Sequence, residues 1–384
     1  MKIKYKLNLT DPKYIDQLLR LAGSYRASGK SDFAKKTYQK IIEIDKTNTI
    51  ALRLIIDYLD TTELLKHEER LNAPGLKNIK DEKKIDLFFA LGILYENLKK
   101  FKKSAMYFND ANNLKRKIYP FNFDSLNNHF ENLEKVYSQL NFEKIDFKNQ
   151  KKIIFVIGLP RSGTSLVEAI LSANKNIYPA GEIPNLKKII RENFVINGSL
   201  DIKRIIELIN KKDERIYELY VKSNNLKNIN KKIIIDKNTE NFKFIGIINT
   251  FFKNSKIINC VRDPFENFCS LYKINFNSSD LNWTNSKSQI VNYHKYYFKF
   301  INLWKSKDID NILDINFEEL LSNTNYTINK LLDFCELEKN YDYKNFYKSK
   351  SLIIKTASAN QARKSIQKEN VFKYEKFKDY FDFN

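Results

Sequence analysis

The stretch IIFVIGLPRSGTSLVEAIL, residues 153–171, constrains the fold more than any other part of this 384-residue chain. Ile153, Ile154, Phe155, Val156 and Ile157 form an unbroken run of β-branched and aromatic residues. Such a run predicts a strand buried on both faces, as in a parallel sheet. Gly158-Leu159-Pro160 interrupts it, and Leu166, Ile170 and Leu171 resume at helical spacing after Gly163-Thr164-Ser165. A strand, a glycine-containing loop and a helix in that order gather free N–H groups at a positive helix end, which suits a phosphate. Gly158 and Gly163 keep the spacing of a Walker A loop, yet Thr164 stands where its lysine belongs. The cation sits inside the loop, at Arg161. A nucleoside triphosphate would lose its usual β/γ-phosphate clamp here, so the loop is read as serving another nucleotide. A generic strand–turn–helix unit is the alternative.

Three more strands are expected, near Ile233 to Asp236, at Ile257 to Val261 and at Ile312 to Phe317, with helical stretches between them. That alternation is the βαβ signature of a parallel sheet, in which ligands bind beyond the carboxyl ends of the strands. The first three strands each deliver a cation to that edge: Arg161, Lys237 and Arg262. Pro264 lets a helix start directly after Arg262-Asp263, which carries Ser270 about two turns in. A simple Arg262–Asp263 pair is the competing use of this arginine.

Residues from about 12 to 118 read as helices throughout. Leu18, Leu21, Ala22 and Tyr25, then Phe33, Ala34, Tyr38 and Ile41, form two apolar faces around a turn holding Gly29. The pattern returns at Leu91, Gly92, Tyr95, Phe101, Tyr107, Phe108 and Ala111. Small residues where helices cross, with aromatics in the gaps, resemble tetratricopeptide repeats, whose period is about 34 residues. The segment between the two copies reads as a degenerate repeat, and a plain helical bundle is the alternative. A repeat module offers a concave surface for a peptide or protein partner, or packs on its neighbour. The expected division is a helical-repeat domain at 1–118, a linker helix and junction at 119–150, and an α/β domain at 151–384. The fold class is thus α followed by α/β. Removing residues 1–118 is expected to leave a nucleotide-binding domain.

The formal net charge of +21 is carried mostly by scattered lysines rather than an Arg-and-aromatic stripe, so compositional drift explains most of it. No apolar run reaches the roughly 20 residues of a membrane helix, and MKIKYKLNLTD has no signal-like apolar core. Cys260, Cys269 and Cys335 have neither metal nor redox spacing and suit a reducing, cytoplasmic setting. His67, His129 and His294 have no metal spacing either. No metal is expected.

PRSGTS after a hydrophobic strand resembles the 5′-phosphosulfate loop of sulfotransferases that use 3′-phosphoadenosine 5′-phosphosulfate (PAPS). SANKNIYPAGEIP, which follows, is similar to the branch holding the tyrosylprotein and the bacterial tetratricopeptide-linked sulfotransferases. The resemblance spans roughly residues 152–377 and implies a P-loop-like α/β domain with PAPS as co-substrate. Pro160, Arg161, Ser162, Gly163, Thr164 and Ser165 would then hold the 5′-phosphosulfate, and Arg262 with Ser270 the 3′-phosphate. In the tail, Ser358, Gln361, Arg363, Lys364 and Lys373 would close over the nucleotide. Glu182, after Gly181, matches the position of the catalytic base, and Lys237 the donor to the phosphosulfate; Arg161 completes the catalytic set. Three positions depart from the pattern. Asn185 stands for an arginine of the tyrosylprotein enzymes, Ile274 for a second arginine after the serine, and Phe317 for a tyrosine. The implied reaction is in-line transfer of a sulfuryl group to a hydroxyl or amine of a peptide, carbohydrate or small molecule.

Rival readings remain. A P-loop kinase or NTPase meets the missing lysine and the missing metal carboxylate. A helical-repeat adaptor with a decayed enzyme fold meets intact Glu182, Lys237, Arg262 and Ser270. Nucleic-acid binding lacks any recognition signature.

Overall fold

The computed structural model describes residues 11–148, 150–196, 199–307, 309–348, 365–366 and 371–381. The described residues form two compact units. One draws on Met1–Phe121, Phe268–Ile290 and Tyr374–Asn384, the other on Asn122–Asn267 and Val291–Lys373.

The first unit is built on α1 (Pro12–Ala27), α2 (Ser31–Ile44), α3 (Thr49–Leu54), α4 (Thr61–Leu71), α5 (Asp81–Asn97) and α6 (Phe101–Ile118). The hairpins α1/α2 and α5/α6 match at an offset of 70 residues. Gly29 and Lys99 both take positive φ, 75° and 57°. The turns close alike, with Lys30 N–H on Tyr25 O (2.9 Å) and Lys100 N–H on Tyr95 O (2.8 Å). Tyr38 and Phe108 are buried at equivalent places. Between the hairpins α3 is only six residues long, which is why the repeat pattern fades there.

This unit is not confined to the chain before residue 118. Asn112 Nδ2 donates to Tyr272 O (2.8 Å), and Lys115 Nζ to Asn275 Oδ1 (2.6 Å). Lys273 Nζ pairs with Glu96 (2.6 Å) and lies over the Tyr374 and Phe377 rings, 3.8 and 4.4 Å from their centroids. The division drawn from the sequence at 118 therefore differs from the units of the fold, because residues after 267 supply part of the helical unit's core.

The second unit begins at α7 (Phe123–Ser138) and centres on a five-stranded parallel sheet. Its strands are β1 (Lys152–Gly158), β2 (Ile177–Pro179), β5 (Ile233–Asp236), β6 (Ser255–Val261) and β7 (Ile312–Asn316), in the order β2-β5-β1-β6-β7. β3 (Val195–Ile196) and β4 (Ser199–Leu200) make a separate antiparallel pair. The helices are α8 (Thr164–Leu171), α9 (Asn185–Phe194), α10 (Ile202–Asn210), α11 (Arg215–Ser223), α12 (Ile245–Phe251), α15 (Phe317–Ser322) and α16 (Thr324–Phe334), while α13 (Pro264–Tyr272) and α14 (Lys287–Lys305) are divided between the two units at residues 267 and 291. β1 lies between β5 and β6, and residues 153–157 are fully buried. A strand covered on both faces has no solvent side, which is why its sequence does not alternate. All four expected strands fall where the sequence put them, within a residue or two, and α7 lies within the expected linker at 119–150. β2 was not expected, being only three residues long.

Candidate active site

The loop after β1 turns tightly. Gly158 has φ +148°, and a Cβ there would meet Ser162 Oγ at 2.5 Å and Cys260 O at 2.6 Å. Ser162 N–H closes the turn on Leu159 O (3.1 Å). Arg161 takes φ +71°, a conformation uncommon outside glycine that concentrates at functional sites. Gly163, at φ +102°, precedes the first turn of α8. The Ser162 hydroxyl is buried with no hydrogen-bond partner among the described residues. A buried polar atom in a loop framed by a helix start fits an anion, whose oxygens would satisfy it. Pro160, Arg161, Ser162, Gly163, Thr164 and Ser165 are thus one cradle.

Neighbouring elements fix this cradle from below. Asn267 Nδ2 donates to Pro160 O (3.0 Å), and its Oδ1 lies 2.9 Å from His294 Nε2. Because Oδ1 can only accept, Nε2 carries the proton. Burial depresses the His294 pKa to about 4, so the ring is neutral and structural.

Arg262, at the end of β6, is placed beside the loop but is already engaged. Its guanidinium donates to Arg161 O (3.1 Å) and Glu266 Oε2 (3.1 Å), and lies 3.8 Å from Glu318 Oε1. It also stacks over Phe317, 4.7 Å from the ring centroid. Asp263 is not its partner: Asp263 Oδ1 takes the Glu266 N–H (2.9 Å) and caps the start of α13. Glu266 was readable as the residue one helical turn after Arg262, and Glu318 as the residue directly after Phe317. Burial pushes the Glu318 carboxyl up. Phe317, where a tyrosine was expected from the family pattern, supplies the ring beneath the guanidinium. Ser270 is buried in the first unit. Lys373 is exposed, whereas Ser358, Gln361, Arg363 and Lys364 lie outside the described residues.

Glu182 and Lys237 come together. β2 pairs with β5, and Ala180 N–H on Ile235 O (2.9 Å) and Lys237 N–H on Gly181 O (2.9 Å) extend the ladder past both strands. Asn238 Nδ2 then holds Ile183 O (2.8 Å). Glu182 projects from this pinned segment with its side chain 56% exposed, and Lys237 Nζ, 2% exposed, donates to Glu182 Oε1 at 2.6 Å. Asn185 ties the start of α9 to α11, donating to Ser223 O (3.1 Å) and Asn224 Oδ1 (2.6 Å).

Under this pair lies Asp236, fully buried, whose Oδ2 accepts from Tyr220 Oη (2.8 Å) and Asn241 Nδ2 (3.1 Å). Burial raises its pKa to about 7 against those donors, with nearby Glu168 adding to the rise. Cations thus reach the carboxyl ends of three adjacent strands, β5, β1 and β6, with one exposed carboxylate beside them.

Residues 154–342 match the sulfotransferase family. The match runs from within β1 to beyond α16 and includes the loop, Glu182, Lys237, Arg262 and Ser270. An uncharacterized protein of Aquifex aeolicus is 27% identical over 390 residues, 96% of this chain. The chain spans about half that relative's length, 49%. Among solved structures, the sulfotransferase domain of the Synechococcus PCC 7002 olefin synthase is 16% identical, with TM-score 0.41, over 62% of this chain and 91% of that one. The sulfotransferase domain from the curacin biosynthetic pathway is 15% identical, with TM-score 0.41, over 62% and 95%. Sulfotransferase STF1 of Mycobacterium tuberculosis H37Rv is 14% identical, with TM-score 0.34, over 84% and 99%.

A cleft of about 990 Å³ opens at the opposite end of the sheet, where Lys152, Lys232 and Lys256 precede or begin strands. Its lysines close largely on local carboxylates. Lys152 (2.7 Å) and Lys256 (2.9 Å) both hold Glu336, whose carboxyl they depress to about 2, and Lys144 holds Asp310 (2.6 Å). Charges flanking hydrophobic strands act as gatekeepers against aggregation. Among the described residues no helix is long and apolar enough to cross a membrane.

Proposed function

We propose that this protein transfers a sulfuryl group from PAPS to a hydroxyl or amine acceptor, with Glu182 as base. The observation that carries the reading is the Glu182–Lys237 pair at the same sheet edge as a phosphate cradle that lacks a Walker lysine. PAPS supplies the activated sulfuryl group on its 5′-phosphate and a 3′-phosphate that distinguishes it from ATP. The acceptor oxygen bonds to sulfur as the bond from sulfur to the 5′-phosphate oxygen breaks, and the acceptor proton goes to Glu182. Lys237 and Arg161, with the loop N–H groups, offset the negative charge that builds on the departing side. Arg262 and Ser270 are assigned to the 3′-phosphate, with Ser358, Gln361, Arg363, Lys364 and Lys373 closing over the nucleotide. No metal is assigned.

The α1/α2 and α5/α6 hairpins are proposed as tetratricopeptide-like repeats, their common register supporting this, and as a surface for the acceptor or a protein partner. Thermal-shift measurements test the nucleotide assignment. 3′,5′-ADP without Mg²⁺ is expected to stabilise the protein strongly and 5′-AMP far less. Equal stabilisation by ATP–Mg²⁺ would overturn the reading in favour of a P-loop kinase.

A further inference from the structure

Glu168 is the only charged residue in α8, TSLVEAIL, and its side chain is buried. A carboxylate in such a place is costly unless N–H groups or cations face it. Burial pushes its carboxyl up, opposed by Lys237 and by the Gly181 N–H, while Glu182 adds to the rise. The geometry agrees: Gly181 N–H donates to Glu168 Oε1 at 3.1 Å. The other side of the same residue is held as well, since Gly181 O accepts from Lys237 N–H at 2.9 Å. Gly181 has φ +71° with open space where a Cβ would stand. Backbone conformation, not crowding, therefore calls for glycine there.

We infer that Glu168 is the positioning residue for Glu182, reaching from the helix that begins at the phosphate cradle to fix the residue that precedes the base. The inference rests on the reading of Glu182 as base. It gives α8 two tasks. Its first turn frames the cradle, and its fifth residue sets where the base stands relative to it. The position of the base is thereby coupled to the place where the transferring group is held.

The test uses the full chain, with Glu168→Ala and the conservative Glu168→Gln, which keeps an acceptor oxygen. Turnover is read as 3′,5′-ADP released from PAPS in the presence of a mixture of phenols, sugars and amines. Binding of 3′,5′-ADP is read separately. The Gly181 amide is followed by hydrogen exchange after ¹⁵N-glycine labelling, which gives nine glycine signals in all. Misplacing a reacting group by about 1 Å can cost roughly a hundredfold, so Glu168→Ala is expected to lower kcat by about ten- to a hundredfold. Its 3′,5′-ADP affinity is expected to stay close to wild type, and its Gly181 amide to exchange faster. Glu168→Gln is expected to restore slow exchange and most of the turnover. A faster Gly181 amide with unchanged kcat overturns the proposal. So does an equal loss of kcat and nucleotide affinity, which would make Glu168 a support of the cradle alone. A wild type that binds 3′,5′-ADP but releases none from PAPS overturns the base assignment itself, and the positioning role with it.

Discussion

Arg262 offers the most quantitative check on the site. Its guanidinium is 8% exposed and faces Glu266, 2% exposed, and Glu318, 11% exposed. Arg262→Ala leaves two buried carboxylates without their cation. Removing one partner from a buried pair costs about 3–5 kcal/mol, more than the gain from forming the pair. The hydrogen bond to Arg161 O and the stack on Phe317 are lost in the same step and are not additive with it. The expected destabilisation is therefore about 3–5 kcal/mol, present whether or not Arg262 binds a phosphate. Arg262→Met combined with Glu266→Gln removes one charge of each sign and is expected to recover about half or more of that loss, since apolar or neutral replacements of buried pairs are often tolerated. Urea unfolding followed through the tryptophans reads both, with Trp304 buried in the α/β unit. An Arg262→Ala midpoint indistinguishable from wild type would refute the buried-pair account. A double variant as unstable as the single one would refute the charge argument in particular. The double variant is also the proper background for nucleotide selectivity, because loss of 3′,5′-ADP preference there cannot be blamed on an unpaired Glu266.

Glu182→Gln keeps shape but removes the proposed base, so turnover is expected to fall roughly a hundred- to ten-thousandfold, with 3′,5′-ADP binding nearly unchanged. An acceptor of low pKa such as p-nitrophenol is expected to recover part of it, and full activity toward an unactivated alcohol would remove Glu182 from the mechanism. Asp236 holds its proton up to about pH 7 in the fold, against about 3.9 in an unfolded chain. The native state binds more protons across that interval, so this residue lowers stability as pH rises from about 4 to 7, by roughly 4 kcal/mol in all. Asp236→Asn is expected to flatten that part of the stability–pH curve, and a parallel curve would contradict the buried-acid assignment. Deleting residues 1–118 is expected to give an insoluble product, since Phe268, Leu271 and Tyr272 lose the helical core they share. A soluble truncated protein that binds 3′,5′-ADP would contradict this.

Much of the site was legible because it rests on local pattern. The unbroken apolar run of β1, the glycines of the loop and a cation directly after a strand each follow from short-range physics. Lys237 and Arg262 could be placed at the sheet edge because strand ends are readable. The partners that hold them were harder to see. Glu266 was one helical turn from Arg262, yet Asp263, adjacent in sequence, competed for the same role until the fold used it as a cap. Glu168 gave a faint signal, a single charge inside an apolar helix, but its partner Gly181 lies thirteen residues away and is brought back only by the short β2. The close Glu182–Lys237 pair was not expected, since the resemblance gave the two residues separate tasks, base and donor to the phosphosulfate. The return of residues 268–290 to the helical unit depends on contacts across about 160 positions, which no local pattern encodes.

The central claim is tested most directly by following the transferred group. The protein is incubated with an extract of small molecules and peptides, in one arm with [³⁵S]PAPS and in the other with [γ-³²P]ATP and Mg²⁺. The account predicts ³⁵S moving from nucleotide to organic sulfate, greatly slowed by Glu182→Gln, and no ³²P transfer. Transfer of ³²P from ATP, with ³⁵S remaining on the nucleotide, would contradict it.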